Sequence, residues 1–228
     1  MNERKTGGRR RGRPAASSDG EMRERLLNAA TELFAERGIA ATSMSEIAAH
    51  VGVTSAMLHY YFKSRERLLD VIVEERLGEF IATVREAVDG AGNDPFVMVR
   101  GLVAHVVGMV EKHPWLPPLW IKEIASEGGQ LRARLIRRLP LDVHMRFGAC
   151  VVAGQKRGVV NPDLHPYLLF VSILGLTMFP LAVSKIWKQF PTLKEMGNQG
   201  VADHAVSLLL YGLMGGQQSR GKRTHAAR

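Results

Sequence analysis

The sequence predicts an all-α protein with an N-terminal domain of three short helices followed by a larger helical body. Two observations lead to this fold class. Apolar residues recur at three- and four-residue spacing along most of the chain, as they do on the buried face of an amphipathic helix. In addition, no stretch shows the strict alternation of apolar and polar residues that marks a half-buried strand. With 228 residues, of which 46% are hydrophobic, the chain can bury a sizeable core.

The first helix is predicted over residues 21–37, where one apolar stripe is followed by Gly38 as a stop signal. A second helix begins after Ser43, because Ser43 and Glu46 have the spacing of a capping box. Gly52 lets the backbone turn where this helix ends. The first helix therefore serves as a scaffold for the short helix that follows it.

A third helix is predicted to begin at Thr54, a capping residue, and to pack back through Leu58 and Phe62. Two short helices joined by a glycine-containing turn are typical of a helix-turn-helix that reads DNA in the major groove. Small and polar aromatic side chains remain for the outward side, where they suit contact with phosphates and base edges. These outward residues are Ser55, Ala56, Met57, His59, Tyr60 and Tyr61.

This segment resembles the DNA-binding domain of the TetR family of bacterial transcriptional regulators. The shared pattern is G-V-S-x-x-x-L-Y-x-H-F with a basic residue three positions on, here Gly52, Val53, Thr54, Leu58, Phe62 and Arg65. The chain departs from it by carrying His59 where the family usually has Tyr, and Tyr61 where it usually has His. The resemblance covers roughly the N-terminal third of the chain. It implies a homodimer that binds double-stranded operator DNA and responds to a small molecule.

The candidate DNA contacts lie around the second and third helices and in the basic arm that precedes them. The set is Arg11, Arg13, Ser43, Ser45, Thr54, Ser55, Ala56, His59, Tyr60, Tyr61, Lys63 and Arg65. Lys63 and Arg65 stand where the following helix begins, which is expected to approach the phosphate backbone.

The net charge of +9 is concentrated at the two ends of the chain. Residues 1–20 and residues 218–228 each carry a net charge of +4, and both segments are predicted to be disordered. Within the first, the sequence Arg11-Gly12-Arg13-Pro14 resembles an AT-hook, whose Arg side chains enter an A·T-rich minor groove. The alternative is a solvated basic tail that adds only nonspecific attraction to DNA.

The predicted domain organisation is a disordered arm at 1–20, a TetR-type domain at 21–68, a helical body at 69–217 and a basic tail at 218–228. A long amphipathic helix at about 64–88 joins the DNA-binding domain to the body. In the body, a helix starts at Pro95, and a long helix from Gln130 onward is expected to kink at Pro140. Two strongly apolar helices follow, at 166–184 and 200–214.

The uncharged run at 166–184 is long enough to be considered as a membrane span. Burial on both sides is the preferred interpretation, because the run contains Pro180 and is the only segment of its kind. The N-terminus lacks the apolar run of a secretory signal. A single Cys150 excludes an intrachain disulfide. A cytoplasmic protein without membrane contact is therefore expected, and the resemblance to the TetR family implies a bacterial one.

The resemblance to the TetR family implies that the last two long helices pack against the same two helices of a second copy. The predicted dimer residues are Leu174, Phe179, Val201, Ala205, Leu208 and Leu209. A small-molecule pocket is expected between body helices, lined by aromatic and methionine side chains with a few polar anchors. The candidates are His105, Met109, Trp115, Trp120, Glu123, His144, Phe147, Phe170 and Met178. Such a pocket favours an apolar or aromatic effector, although ordinary core packing is the simpler explanation for any single one of these side chains.

No catalytic motif is present in the sequence: it has no phosphate-binding glycine loop, no G-x-S-x-G and no H-E-x-x-H. The histidines show no metal-ligand spacing, so neither a metal nor a cofactor is expected. The sequence is best interpreted as a sequence-specific, ligand-responsive repressor. The alternatives are a TetR-like activator and an architectural protein that coats A·T-rich DNA.

Overall fold

A computed structural model describes residues 15–214 of the chain, and every regular element in that range is helical. The N-terminal domain consists of α1 (Ala15–Arg37), α2 (Met44–Val51) and α3 (Ser55–Phe62). The first helix starts at Ala15 and not at Glu21, so the prediction of disorder up to residue 20 was wrong for residues 15–20. The core of this domain consists of fully buried side chains from all three helices, among them Leu26, Phe34, Ile47, Leu58 and Phe62.

The predicted connecting helix is present as three consecutive helical segments: α4 (Arg65–Val71), a π-helical segment (Ile72–Leu77) and α5 (Gly78–Gly90). Ser64 caps its start by accepting a hydrogen bond of 3.2 Å from the N–H of Arg67. The widened turns in the middle were not predicted. They appear in the hydrogen bond from the Gly78 N–H to the Val73 carbonyl, five residues back.

The central helix of the body is α6 (Pro95–Lys112). Asp94 caps it, because its carboxylate accepts hydrogen bonds from the N–H groups of Phe96 at 2.8 Å and Val97 at 3.3 Å. Pro95 occupies the first turn, where its missing N–H costs nothing. The helix contacts α5 and three helices described below, so it forms the middle of the body core.

After α6 the chain forms α7 (Leu116–Trp120), a second π-helical segment (Ile121–Ala125), α8 (Arg132–Ile136) and α9 (Leu141–Lys156). The prediction of one long helix kinked at Pro140 was wrong. Helix α8 ends at Ile136, and Pro140 directly precedes α9. The physical reason is that proline lacks an N–H and disfavours helical geometry in the residue before it.

The last helices are α10 (Leu168–Ala182), α11 (Ser184–Trp187) and α12 (Asn198–Met214). Helices α10 and α12 pack against each other and against α6. Pro180 is accommodated in the last turn of α10. Within residues 15–214, no helix has both the length and the apolar character required to cross a membrane.

Candidate nucleic-acid interface

The second helix begins as the capping box predicts. The N–H of Glu46 donates a hydrogen bond of 3.2 Å to the Ser43 hydroxyl, and the N–H of Ser43 donates one of 2.7 Å to the Glu46 carboxylate. These bonds lower the pKa of Glu46, with the backbone N–H of Ser43 as the main cause. The start of α2 is thereby fixed by its own side chains.

Gly52 ends α2 in the left-handed conformation, with φ of 79°. Its N–H donates to the Ala49 carbonyl at 3.0 Å, and the N–H of Val53 donates to the Ala48 carbonyl at 2.9 Å. This is the Schellman arrangement, and a glycine adopts it without strain. Thr54 then caps α3 by accepting a bond of 3.4 Å from the Met57 N–H. The turn therefore sets α3 across α2 in the manner of a helix-turn-helix.

Helix α3 has one buried side and one exposed side. Leu58 and Phe62 are fully buried against the other helices, whereas Tyr60 is 63% exposed. Ala56 and His59 are also exposed. Met57, 41% exposed, shares this side and was missing from the predicted contact set. The sequence could have indicated this, because Met57 precedes Tyr60 by three residues and therefore lies close to it on the surface of α3. An exposed methionine here offers apolar contact to a thymine methyl group.

His59 is held in one orientation by the end of its own helix. Its Nδ1 lies 3.1 Å from the carbonyl oxygen of Lys63, which can only accept, so Nδ1 carries the donated proton. In the neutral ring, Nε2 is then left as an acceptor on the exposed side. Such an acceptor can bind the amino group of adenine or cytosine in the major groove.

Lys63 connects α3 to α4 through a γ-turn. Its backbone has φ of 62° and ψ of −52°, and the Ser64 N–H donates to the Phe62 carbonyl at 2.6 Å. A residue with a side chain is strained in this conformation. Its ammonium lies 5.5 Å from the centre of the Tyr60 ring. Lys63 thus stands exposed beside Tyr60, where a phosphate contact is sterically open.

Two of the predicted DNA contacts have protein partners instead. The Tyr61 hydroxyl donates a bond of 2.5 Å to Asp19 in α1. The Arg65 guanidinium donates to the Thr42 carbonyl at 2.5 Å and to the carbonyl of Ile39. Both side chains are half-buried. The structure therefore assigns Arg65 to holding the α1–α2 loop and Tyr61 to joining α3 with α1, which differs from the roles predicted for them.

The serines of the predicted set also bond within the domain. The Ser55 hydroxyl donates to the Ser45 hydroxyl at 3.0 Å, which links α3 to α2. Ser45 is exposed and Ser55 half-buried, so both remain at the rim of the reading face. Ser43 is occupied by the capping box.

The charge of the domain is low for a protein that binds DNA. Residues 19–72 contain six Lys and Arg against eight Asp and Glu, a net charge of −2. Two of the six basic side chains pair with carboxylates outside this range, Arg23 with Glu75 and Arg67 with Glu74. The basic arm, with the predicted contacts Arg11 and Arg13, lies outside the residues that the structure describes. The electrostatic attraction to phosphates is consequently expected to come largely from outside this domain.

The predicted pocket residues are only partly brought together. The His144 and Phe147 rings lie 5.5 Å and 5.7 Å from the Phe170 ring, so these three form one cluster. Trp120 packs on Phe80 at 5.6 Å and Trp115 on His113 at 5.3 Å. Met109 and Met178 are core residues. His105 is half-buried and bonded to the Gly101 carbonyl at 2.8 Å, and the Glu123 carboxylate accepts hydrogen bonds from the backbone N–H groups of Ile39 and Gln130.

A cavity of about 510 Å³ opens at a different place in the body, between the end of α5, the 91–94 loop and α9. None of the predicted pocket residues lines it. Its walls include Val88, Met98 and Cys150 together with Arg146 and Arg157. Burial raises the pKa of the Cys150 thiol. Among residues 15–214, no group of three or more His, Cys, Asp and Glu side chains is arranged to hold a metal ion.

The predicted dimer residues divide into two groups in the structure. Val201, Ala205 and Leu209 are buried within their own subunit, because this side of α12 packs on α6 and α10. Their assignment to the dimer surface was wrong. Phe179, 57% exposed, and Leu208, 49% exposed, face outward, and Leu174 is half-buried.

Comparisons with known proteins find a family model that matches the helix-turn-helix segment and relatives that share about a quarter of their residues with this chain. Residues 26–72 match the model of the family described as bacterial regulatory proteins, tetR family. The HTH-type transcriptional repressor KstR2 of Mycobacterium tuberculosis is 28% identical over 155 residues, which cover 68% of this chain and 77% of KstR2. The HTH-type transcriptional regulator UidR of Escherichia coli is 27% identical over 164 residues, covering 70% and 80%.

Solved structures share the whole fold. The ketosteroid transcriptional regulator KstR2 of Mycobacterium tuberculosis superposes with a TM-score of 0.69 at 24% identity, over 85% of this chain and 95% of that one. AibR in complex with isovaleryl coenzyme A and operator DNA superposes with a TM-score of 0.66 at 23% identity, over 84% and 98%. The prediction of an all-α fold is thus confirmed. Residues 26–72, which contain the helix-turn-helix at residues 43–62, are thus similar to the DNA-binding domain of the tetR family of bacterial regulatory proteins.

Proposed function

We propose that the protein is a homodimeric repressor that binds a palindromic operator and releases it when an effector binds in the body. The exposed side of α3 carries the proposal for DNA binding, because Tyr60 and Met57 are large side chains left uncovered beside Ala56. A small residue between larger ones permits close approach to base edges. Relatives named as repressors support repression as the direction of control.

The dimer is supported by an apolar surface on α10 and α12. Leu168, Val171, Phe179, Leu208 and Tyr211 are each between 49% and 76% exposed in the single subunit. Large apolar side chains left exposed on two helices that pack together are typical of a protein interface. In a two-fold symmetric dimer, α10 and α12 of one subunit cover this surface by packing on α10 and α12 of the second copy. Such a dimer presents two α3 helices, one for each half-site of the operator.

The proposed effector is apolar or aromatic and binds in the body near His144, Phe147 and Phe170. Aromatic side chains around one half-buried imidazole provide apolar contact area together with a polar anchor. AibR, of the same fold, binds isovaleryl coenzyme A together with operator DNA. An effector lowers DNA affinity only if it binds the DNA-incompetent conformation more tightly.

The test is selection of bound fragments from random DNA with the full-length protein. A regulator yields one palindromic sequence with fixed spacing. An architectural protein yields A·T-rich fragments without symmetry, which would contradict the proposal. Transcription in vitro from a promoter that carries the selected site then separates a repressor from an activator. Isovaleryl coenzyme A and simple aromatic acids are the first effectors to add.

A further inference from the structure

We propose that Lys122 and Glu123 are positioning residues for DNA binding, because they join the body directly to the α1–α2 loop of the DNA-binding domain. In this arrangement two connections between the DNA-binding domain and the body fix the orientation of α2 and α3 relative to the body. One is the continuous helix that contains α4 and α5, and the other is this pair of side chains.

Glu123 is a buried carboxylate, only 6% exposed. One of its oxygens accepts a hydrogen bond of 2.8 Å from the N–H of Ile39, in the α1–α2 loop. The other accepts one of 3.1 Å from the N–H of Gln130 in the body. A buried charge requires such partners, and removing one leaves the group unsatisfied. The carboxylate therefore bridges two backbone segments that are far apart in the sequence.

Gly38, next to Ile39, fits this contact. Its φ of 89° lies in the region that favours glycine, and a Cβ at this position would stand 3.4 Å from the Glu123 oxygen. The backbone of the loop thus comes close to the carboxylate, and a side chain at residue 38 is excluded by conformation.

Lys122 holds the end of α1. Its ammonium donates to the carbonyl of Ala35 at 3.0 Å and to the carbonyl of Glu36. The last carbonyls of a helix lack helical partners and carry partial negative charge, so a cation there is favourable. The neighbouring side chains Lys122 and Glu123 of the body consequently bind the last turn of α1 and the N–H of Ile39, the second residue after this helix.

The same loop is held from its other side by Arg65, whose guanidinium donates to the carbonyls of Ile39 and Thr42. Ser43, the cap of α2, follows immediately. The loop is therefore fixed between α4 and the segment Ile121–Ala125, and a displacement of that segment moves the start of α2. Trp120 packs on Phe80 just before it, which ties the segment to the body core.

Amide hydrogen exchange tests the contact itself. In Glu123→Gln, the side-chain amide can accept from one backbone N–H but presents a donor to the other. The N–H that faces the amide NH2 group, that of Ile39 or that of Gln130, is expected to exchange about tenfold faster or more than in the native protein, because it loses its hydrogen bond to the carboxylate. Unchanged exchange at both N–H groups would overturn the proposal. This readout does not depend on the proposed function.

The second readout rests on the proposed function and measures DNA spacing. One base pair inserted at the centre of the selected palindrome rotates the half-sites by about one tenth of a turn. The native dimer is expected to discriminate strongly between the two spacings. In Glu123→Gln that ratio of affinities should fall by about threefold or more, the range of coupling between connected elements. An unchanged ratio of affinities beside faster exchange at either N–H would show that the contact does not position α2 and α3.

Lys122→Met provides a variant that leaves the buried carboxylate in place, since it removes the ammonium and keeps the apolar stem of an exposed side chain. It should lower the spacing ratio in the same direction and supplies the test if Glu123→Gln does not fold. Glu127→Gln is the matched control, because this carboxylate is exposed in the same part of the chain. Loss of spacing discrimination in the control would overturn the assignment to Lys122 and Glu123.

Discussion

The hydroxyl of Tyr61 donates a hydrogen bond of 2.5 Å to the carboxylate of Asp19, which joins the reading helix α3 to α1. This bond is the main reason that the pKa of Tyr61 is raised to about 12. A donor to a carboxylate favours the neutral phenol. The residue stands where the family usually has His, yet its polar atom is directed to the protein. Its neighbour Tyr60 is the phenol left for DNA.

Tyr61→Phe is therefore expected to leave operator affinity within about threefold of the native value, as for surface changes without a functional contact. Ultraviolet titration provides a second measurement. One of the four tyrosines should titrate near pH 12 in the native protein and return to an ordinary range in Asp19→Asn. A large loss of operator binding in Tyr61→Phe would mean that the hydroxyl leaves Asp19 to contact DNA.

Tyr60→Ala and His59→Ala are expected to weaken operator binding by at least about tenfold each, since a good base contact contributes about 1–3 kcal/mol. Sedimentation should find both variants still dimeric, because both side chains are exposed. Glu32→Ala, on the exposed side of α1, is the control. Native-like binding by both variants at physiological salt would show that α3 docks through another surface.

A different effect is expected for Met57→Ala, which changes the exposed side of α3 beside Tyr60. An apolar contact to a thymine methyl group discriminates among bases more than it adds affinity. Selection from random DNA with this variant should return the same spacing with relaxed preference at one position of each half-site. Identical preference at every position would exclude Met57 from base recognition.

Leu208 and Leu209 are adjacent in α12 but differ in burial, with exposures of 49% and 7%. A carboxylate at Leu208 is expected to weaken the dimer by about 2 kcal/mol or more and leave the subunit folded, as at the centre of an interface. A carboxylate at Leu209 lies in the subunit core and should unfold the protein. Circular dichroism and sedimentation separate the two results. A folded, undisturbed dimer of Leu208→Glu would contradict the proposed interface.

The helix-turn-helix at residues 43–62 was predicted well, because the residues that cap and end its helices are close together in the sequence. The capping box, the Schellman glycine and the Thr54 cap each depend on residues within five positions of one another. The role of Arg65 was not predictable in this way, since its carbonyl partners lie 23 and 26 residues earlier. Glu123 was predicted to anchor a ligand. Its actual partner, the N–H of Ile39, is 84 residues away in the sequence, so the contact could not be predicted from local patterns.

In the body, the sequence could not predict which apolar residues pack within the subunit and which lie on its surface. The pattern of α12 reveals a helix that is apolar around much of its circumference, but not which side meets its own subunit. Val201, Ala205 and Leu209 were therefore assigned to the wrong surface. The two π-helical segments were missed because they are defined by backbone hydrogen bonds between residues five apart, for which the sequence carries no side-chain signal.

The last prediction concerns the basic arm and uses deletion of residues 1–14, which leaves α1 intact from Ala15 onward. The deletion removes six Lys and Arg per subunit from a protein whose DNA-binding domain is itself slightly acidic. Each phosphate contact contributes about 0.9 to the slope of log affinity against log salt concentration. The truncated dimer should show a clearly shallower slope. An unchanged slope would mean that the arm contributes no phosphate contacts.

Insertion of Arg11 and Arg13 into the minor groove makes a sharper prediction than attraction by a solvated tail. Changing A·T pairs beside the half-site to G·C should weaken the full-length protein but not the truncated one, because the guanine amino group obstructs the groove floor. A variant with Lys at residues 11 and 13 keeps the charge but loses the planar guanidinium groups. It should retain the salt slope and lose the sensitivity to flanking sequence. Equal flank sensitivity in all three proteins would leave the arm as a nonspecific basic tail.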